Sequence, residues 1–117
     1  MKILFIVNDA PYGSEKPYNA LRMAMTIQKE HEGVEVRMFL LADAVACGVT
    51  GQSTPQGYYN IERMIKAILA KGALVKACGS CCEARGLKTP MLIEGIEIST
   101  MSQLTKWSVE SDKVITF

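Results

Sequence analysis

The sequence predicts a single α/β domain spanning residues 1–117, built on a parallel five-stranded sheet with helices on both faces. Three observations carry that expectation. Apolar, β-rich runs alternate regularly with stripes at helical spacing, the pattern of right-handed strand–helix–strand crossovers. The first run, Ile3 to Val7, is apolar at every position, as in a strand covered on both faces. The length of 117 residues fits one domain on the usual scale of about 150.

The elements follow in order. Ile3–Val7 is the first strand, and residues 8 to 13 form a turn. Ser14 is the expected N-cap of a helix with Glu15 and Pro17 in its first turn. Ala20, Met23, Ala24, Ile27 and His31 make its apolar stripe, with His31 expected half-buried, and Gly33 stops it. Residues 34 to 41 read as the second strand, Val34, Val36 and Met38 alternating with Glu35 and Arg37. A short helix over 42–47 and a polar loop over 48–57 come next. Ile61, Met64, Ile65, Ile68 and Leu69 mark one face of the following helix, which Gly72 ends. The third strand, 73–77, runs straight into Cys78. A short fourth strand covers 96–98. Thr100 with Gln103 resembles a capping box for the helix that holds Leu104 and Trp107. Residues 113–117 close the chain as the fifth strand. The seven methionines are expected mainly as core filler.

Composition excludes several classes of function. Hydrophobic residues make up 49% and charged residues 21%, which is globular rather than disordered. A net charge of +1 offers neither the cationic excess of a sequence-independent nucleic-acid binder nor a polybasic membrane anchor. The N-terminal apolar run is too short for a signal-peptide core, and no stretch approaches the ~20 apolar residues of a membrane span. A cytoplasmic protein is expected, with its thiols reduced.

Four cysteines are then the informative residues. Three lie in Cys78-Gly79-Ser80-Cys81-Cys82-Glu83-Ala84-Arg85-Gly86, where a strand end meets a helical turn. Amide N–H groups and nearby cations at such a place favour thiolate over thiol, and Arg85 and Lys76 are the cations at hand. Cys78 and Cys81 form a C-x-x-C pair suited to a reversible disulfide. Cys47, inside an apolar helical segment, is expected buried and inert. Cys78, Cys81, Cys82 and Arg85 are therefore the candidate catalytic residues. Three clustered thiols fall short of the four ligands of a structural zinc site, so no metal is expected, and no cofactor. The turn Asn8–Ser14 lacks both the dinucleotide and the Walker glycine patterns, and a tight turn before a helix explains it. It also ends a strand on the same edge as the thiols, which makes Tyr12, Gly13 and Ser14, with Gly79, candidates for a substrate- or anion-binding loop.

The turn Ala10-Pro11-Tyr12-Gly13-Ser14-Glu15, the strand-end Cys78 ahead of Arg85-Gly86, and the ending Ser111-Asp112-Lys113-Val114-Ile115-Thr116-Phe117 occur together in that order. In this combination the chain resembles the DsrE-like family over essentially its whole length, nearest the YchN-type branch. The resemblance implies a three-layer α/β/α fold around a five-stranded parallel sheet, and dimers that associate as a homohexamer. It further implies that sulfur-relay members carry sulfur as a persulfide on the cysteine matching Cys78, exchanging it with donor and acceptor proteins. Cys81 and Cys82 stand where those members have unreactive side chains.

The leading functional expectation is a sulfur carrier or sulfurtransferase-like protein working through a Cys78 persulfide. Two alternatives belong to other classes. One is a non-catalytic homo-oligomeric module binding a small ligand or protein, with the 48–57 loop as its contact. The other is a C-x-x-C thiol redox protein.

Overall fold

The computed structural model describes residues 1–117. Its elements are β1 (Lys2–Val7), α1 (Lys16–Glu30), β2 (Glu35–Leu40), a 3-10 segment (Ala42–Gly48), α2 (Ile61–Ala70), β3 (Leu74–Cys78), α3 (Gly79–Ala84), a second 3-10 turn (Thr89–Met91), β4 (Ile96–Ser99), α4 (Met101–Glu110) and β5 (Lys113–Thr116). The sheet is wholly parallel, in the order β4-β3-β2-β1-β5. Helices α1 and α2 pack side by side, and the Gln28 side-chain amide donates to the Ile68 carbonyl between them at 3.0 Å. Side chains alternate across a strand. Arg37 and Phe39 of β2 accordingly meet Trp107 of α4, while Val36, Met38 and Leu40 point away from that helix. The result is the expected three-layer α/β/α sandwich around one continuous apolar core.

The two central strands explain the depth of that core. Leu4, Phe5 and Val7 of β1 and Val36, Met38, Phe39 and Leu40 of β2 are all buried. Arg37 is buried as well, because Glu35 and Glu110 pair with its guanidinium at 3.3 and 3.2 Å and Trp107 lies beneath it. The charged positions of β2 do not mark a solvent face. An ion pair and an aromatic ring let α4 cover them.

Several expectations are corrected. Ser14 does not cap α1. The helix begins at Lys16 with Glu15 in the cap position and no side-chain cap; Ser14 lies one residue earlier, its Oγ donating to Asp9 at 2.8 Å and accepting from the Lys16 amide at 3.3 Å. The buried stripe of α1 is Pro17, Ala20, Leu21 and Ala24. Met23 and His31 lie to the side of that stripe and are exposed. Met1, Met91 and Met101 are exposed too, so the methionines are not mainly core filler. Thr100 does cap α4, its hydroxyl accepting from the Gln103 amide at 3.2 Å.

The register sets the site. Val7 pairs with Leu40, and Leu40 with Ala77. Cys78 thus sits one residue beyond the last β2–β3 pair, at the carboxyl edge where the connections after β1, β2 and β3 gather. Ligand sites of parallel sheets lie at this edge.

Candidate functional site

Cys78 ends β3 and is also the N-cap residue of α3, with extended backbone at φ −61° and ψ 122°. Gly79 follows where any side chain would be crowded. A Cβ there would lie 3.0 Å from the Ser99 carbonyl oxygen and 3.3 Å from Ile98 Cγ2 on β4. The chain turns at once into helix, and this folds Ser80 and Cys81 back over the strand end. Ser80 Oγ comes to 3.3 Å from Cys78 Sγ.

The four thiols are free and differ sharply in environment. Cys78 is 6% exposed. Burial pushes its pKa up, but hydrogen bonds from the Ser80 hydroxyl, the Cys81 thiol and the backbone amides of Cys81 and Ser80 outweigh burial and hold it below the usual cysteine value. Cys81 is half-buried and moves the opposite way. Burial and its own hydrogen bond to the Cys78 sulfur raise its pKa, against the Ala42 amide and the Arg85 charge. Of this pair, Cys78 ionises first and Cys81 keeps its proton to donate. Burial also raises Cys82, and the neighbouring thiols add to that. Cys82 faces a separate cavity of about 370 Å³ beside Leu87 and Ile98. Cys47 is sealed in the core, with its pKa pushed up to about 12 chiefly by burial.

The expected cations act differently from the sequence reading. Lys76 is turned to Glu97 at 3.7 Å and to the Trp107 ring at 5.1 Å, and gives the thiols no support. Arg85 spends its charge on Asp43, with Nε and Nη2 at 3.1 and 2.7 Å from Oδ1, while Nη1 donates to the Cys81 carbonyl at 3.0 Å. It ties α3 to the turn after β2 and favours ionised Cys81 and Cys82. The low pKa of Cys78 comes from hydrogen bonds. No group of three or more His, Cys, Asp or Glu side chains is arranged to hold a metal ion.

The candidate anion loop has hydrogen bonds of its own. Tyr12 adopts φ 68°, donates its hydroxyl to Gln52 Oε1 and accepts from the Ile61 amide at the start of α2. Gln52 also bonds the Cys47 and Val49 carbonyls, and its backbone amide donates to Glu62. Tyr12 and Ser14 thus fasten the 48–57 loop and the turn itself, and neither bonds a cysteine. Gly13 has room beside it, with Ala10 atoms as its nearest neighbours at 3.8 Å.

Three contributors to the site escaped the sequence reading. Ser80 was visible inside the C-x-x-C motif as a hydroxyl two residues from Cys78. Asp43 stood out only as a charge in an apolar stretch. Ala42, whose backbone N–H meets the Cys81 sulfur at 3.2 Å, has no signal in its side chain at all.

Comparison with known proteins agrees with this geometry. The chain is 41% identical to the YchN protein of Escherichia coli K12, over 99% of its own length and 98% of that protein. It is 44% identical to an uncharacterised Methanocaldococcus jannaschii protein over the full length of both. The E. coli YchN crystal structure superposes with a TM-score of 0.94, covering 99% of this chain and 98% of that one. A Methanobacterium thermoautotrophicum protein of unknown function shares the fold at 13% identity, with a TM-score of 0.81 over 99% and 98% of the two chains. No helix is long and apolar enough to cross a membrane. All 117 residues match one family model, and the five-stranded parallel fold matches with them: the chain belongs to the DsrE/DsrF-like family.

Proposed function

We propose that this protein carries sulfane sulfur as a persulfide on Cys78 and passes it to an acceptor thiol. One observation carries the reading: Cys78 ends β3 at the carboxyl edge with Ser80 Oγ 3.3 Å from its sulfur, and its pKa is held below the usual cysteine value by Ser80, Cys81 and their backbone amides, against burial. The family's association with sulfur relay supports it.

The chemistry needs no redox partner. The Cys78 thiolate attacks the outer sulfur of a donor persulfide, R–S–SH. A bond forms from Cys78 Sγ to that sulfur, the donor S–S bond breaks, and R–S⁻ leaves and takes up the persulfide proton. An acceptor thiolate then attacks the outer sulfur, and Cys78 departs as thiolate. Thiolate fraction and access govern both steps. With Cys78 only 6% exposed, the donor must present a slim terminal sulfur. The donor and acceptor are proteins in this reading, and the carrier works in the cytoplasm as a homo-oligomer of dimers up to a hexamer, a state that sedimentation of the purified protein reads directly.

A dithiol redox reading rests on the C-x-x-C spacing and on the interaction of the two thiols, Cys78 adding to burial in raising the pKa of Cys81. Cys81 attacking the inner sulfur of a Cys78 persulfide forms the Cys78–Cys81 disulfide and expels HS⁻, so the sulfane sulfur is reduced as two thiols are oxidised. A thiol reductant then restores the pair.

One experiment separates the readings. Wild type, Cys78→Ser and Cys81→Ser are treated with glutathione persulfide and weighed intact. The carrier reading expects one added sulfur on wild type and Cys81→Ser and none on Cys78→Ser. Equal loading of all three, or of none, overturns it. Wild type that releases sulfide and ends as a disulfide selects the redox reading.

A further inference from the structure

Sulfur taken up by Cys78 has to leave again, and the strand end is a confined place to hand it over. Cys78, Cys82 and Cys47 are buried, and Cys81 is the one thiol of the four that is not. Cys78 is the N-cap residue of α3, and Cys81 stands three residues on. At that spacing the cap residue and the third helical residue reach across to one another. A persulfide extends Cys78 by one further S–S bond, about 2 Å.

The surroundings of Cys81 suit a sulfur that becomes negative. The Ala42 backbone N–H donates to its Sγ at 3.2 Å, although a neutral thiol is only a weak acceptor. Arg85 Nη1 donates to the Cys81 carbonyl at 3.0 Å. Burial and the neighbouring Cys78 keep the proton on Cys81, while the Ala42 amide and the Arg85 charge work against them. A protonated persulfide on Cys78 carries no charge. Loading Cys78 therefore removes one of the two influences that oppose ionisation of Cys81 and leaves both of those that favour it.

We propose that Cys81 is the exit of the carrier: it takes the outer sulfur from Cys78 and presents it to acceptors too bulky to reach the strand end. This rests on the carrier reading and adds a second catalytic thiol to it. Cys81 gives its proton to water, and its thiolate attacks the outer sulfur of the Cys78 persulfide. A bond forms from Cys81 Sγ to that sulfur, the S–S bond to Cys78 breaks, and Cys78 leaves as the thiolate that Ser80 Oγ faces at 3.3 Å. The transferred sulfur keeps its proton and its oxidation state, so no oxidant or reductant is consumed. The direction follows from the two thiols, because the more acidic one leaves faster and the less acidic one is the stronger nucleophile.

The test follows the added sulfur through the full chain. Wild type and Cys81→Ser are loaded with glutathione persulfide, freed of donor, and alkylated with iodoacetamide after increasing delays. Fragmentation of the tryptic peptide 77–85, which holds Cys78, Cys81 and Cys82, locates the sulfur. In wild type it is expected first on Cys78 and later mainly on Cys81, with the total unchanged. The loaded proteins are then offered glutathione or a polyethylene-glycol thiol. Both are expected to serve glutathione at similar rates. Cys81→Ser is expected to serve the polymer slower by about an order of magnitude or more, because access governs exchange. Sulfur that stays on Cys78 in wild type, or polymer transfer by Cys81→Ser at the wild-type rate, overturns the exit role and leaves Cys78 as the carrier. A Cys78–Cys81 disulfide with release of sulfide also overturns it, since the inner sulfur is then the one attacked. Absence of any loading on Cys78 overturns the carrier reading and the exit together. The wild-type time course needs no variant, so it decides the matter even where Cys81→Ser does not fold.

Discussion

Ala42 donates its backbone N–H to the Cys81 sulfur at 3.2 Å, and does so from a left-handed backbone at φ 50°. The register explains the meeting. Leu40 pairs with Ala77, so the turn after β2 and the turn after β3 leave the sheet side by side. Arg85 closes the same corner by joining Asp43 to the Cys81 carbonyl. The turn after β2 is thereby part of the thiol site, and its strained residue sits at the contact.

Replacing Ala42 by glycine is expected to stabilise the protein by up to about 1 kcal/mol. The left-handed conformation costs an L-residue roughly 1–2 kcal/mol, and the greater freedom of an unfolded glycine returns part of the gain. The N–H is retained, so the alkylation rate of Cys81 is expected unchanged. Thermal unfolding checks the first expectation. A lowered midpoint would show that the Ala42 methyl group contributes packing that outweighs the strain.

Ser80→Ala removes a hydroxyl from the Cys78 sulfur and adds no bulk. Losing a hydrogen bond of this kind costs about 0.5–1.5 kcal/mol, so iodoacetamide modification of Cys78 at neutral pH is expected to slow roughly three- to tenfold. The pH–rate profile moves to higher pH, because the hydrogen bonds that favour the thiolate are what keep the Cys78 pKa low. Stability falls with it at alkaline pH only. A depressed folded pKa contributes above the unfolded value, and that contribution is lost as pH falls through the folded one. An unchanged profile would assign the low pKa to Cys81 and the backbone amides.

The fold was legible because each strand and each long helix carries its own pattern: Ile3 to Val7 for a doubly covered strand, Ile61 to Leu69 for a helix face. Cys78 was legible as a thiol where a strand gives way to a turn. What escaped was set by tertiary contact. Met23 satisfies the helical spacing of α1, yet the helix is rotated so that Leu21 is buried in its place. Ser14 has capping chemistry and its Oγ accepts from the Lys16 amide, but the backbone places Glu15 rather than Ser14 in the cap position. Lys76 is near Cys78 in sequence, while Trp107 and Glu97 decide where its ammonium goes. Ala42 acts through a backbone N–H, which every residue but proline possesses, so no side chain announces it.

Tyr12→Phe is expected to cost about 1–3 kcal/mol, because one hydroxyl both donates to Gln52 and satisfies the Ile61 amide at the start of α2. The loss is local. Amide exchange is expected to accelerate over residues 48–61 and stay unchanged in β1, β2 and β3. Acceleration spread over the whole sheet would make Tyr12 a core residue rather than a loop fastening.

Cys47 gives the protein an alkaline limit that Cys78 does not. Its Sγ lies buried 3.7 Å from the Asp9 carbonyl oxygen, and burial is the main reason its pKa climbs from 9.0 to about 12. A pKa raised on folding contributes stability that is fully present below the unfolded value and disappears as pH rises through the folded one. The window is therefore pH 9.0 to 12, where the unfolded chain has released a proton that the folded chain still holds. Three pKa units at about 1.36 kcal/mol each put the loss across it near 4 kcal/mol. Urea unfolding of wild type and Cys47→Ala through this window isolates the effect, since both share every lysine and tyrosine. The difference between them is expected to shrink steadily with rising pH and to be constant below pH 9.0. Parallel curves throughout would mean that the Cys47 thiol ionises in the folded core as readily as in water.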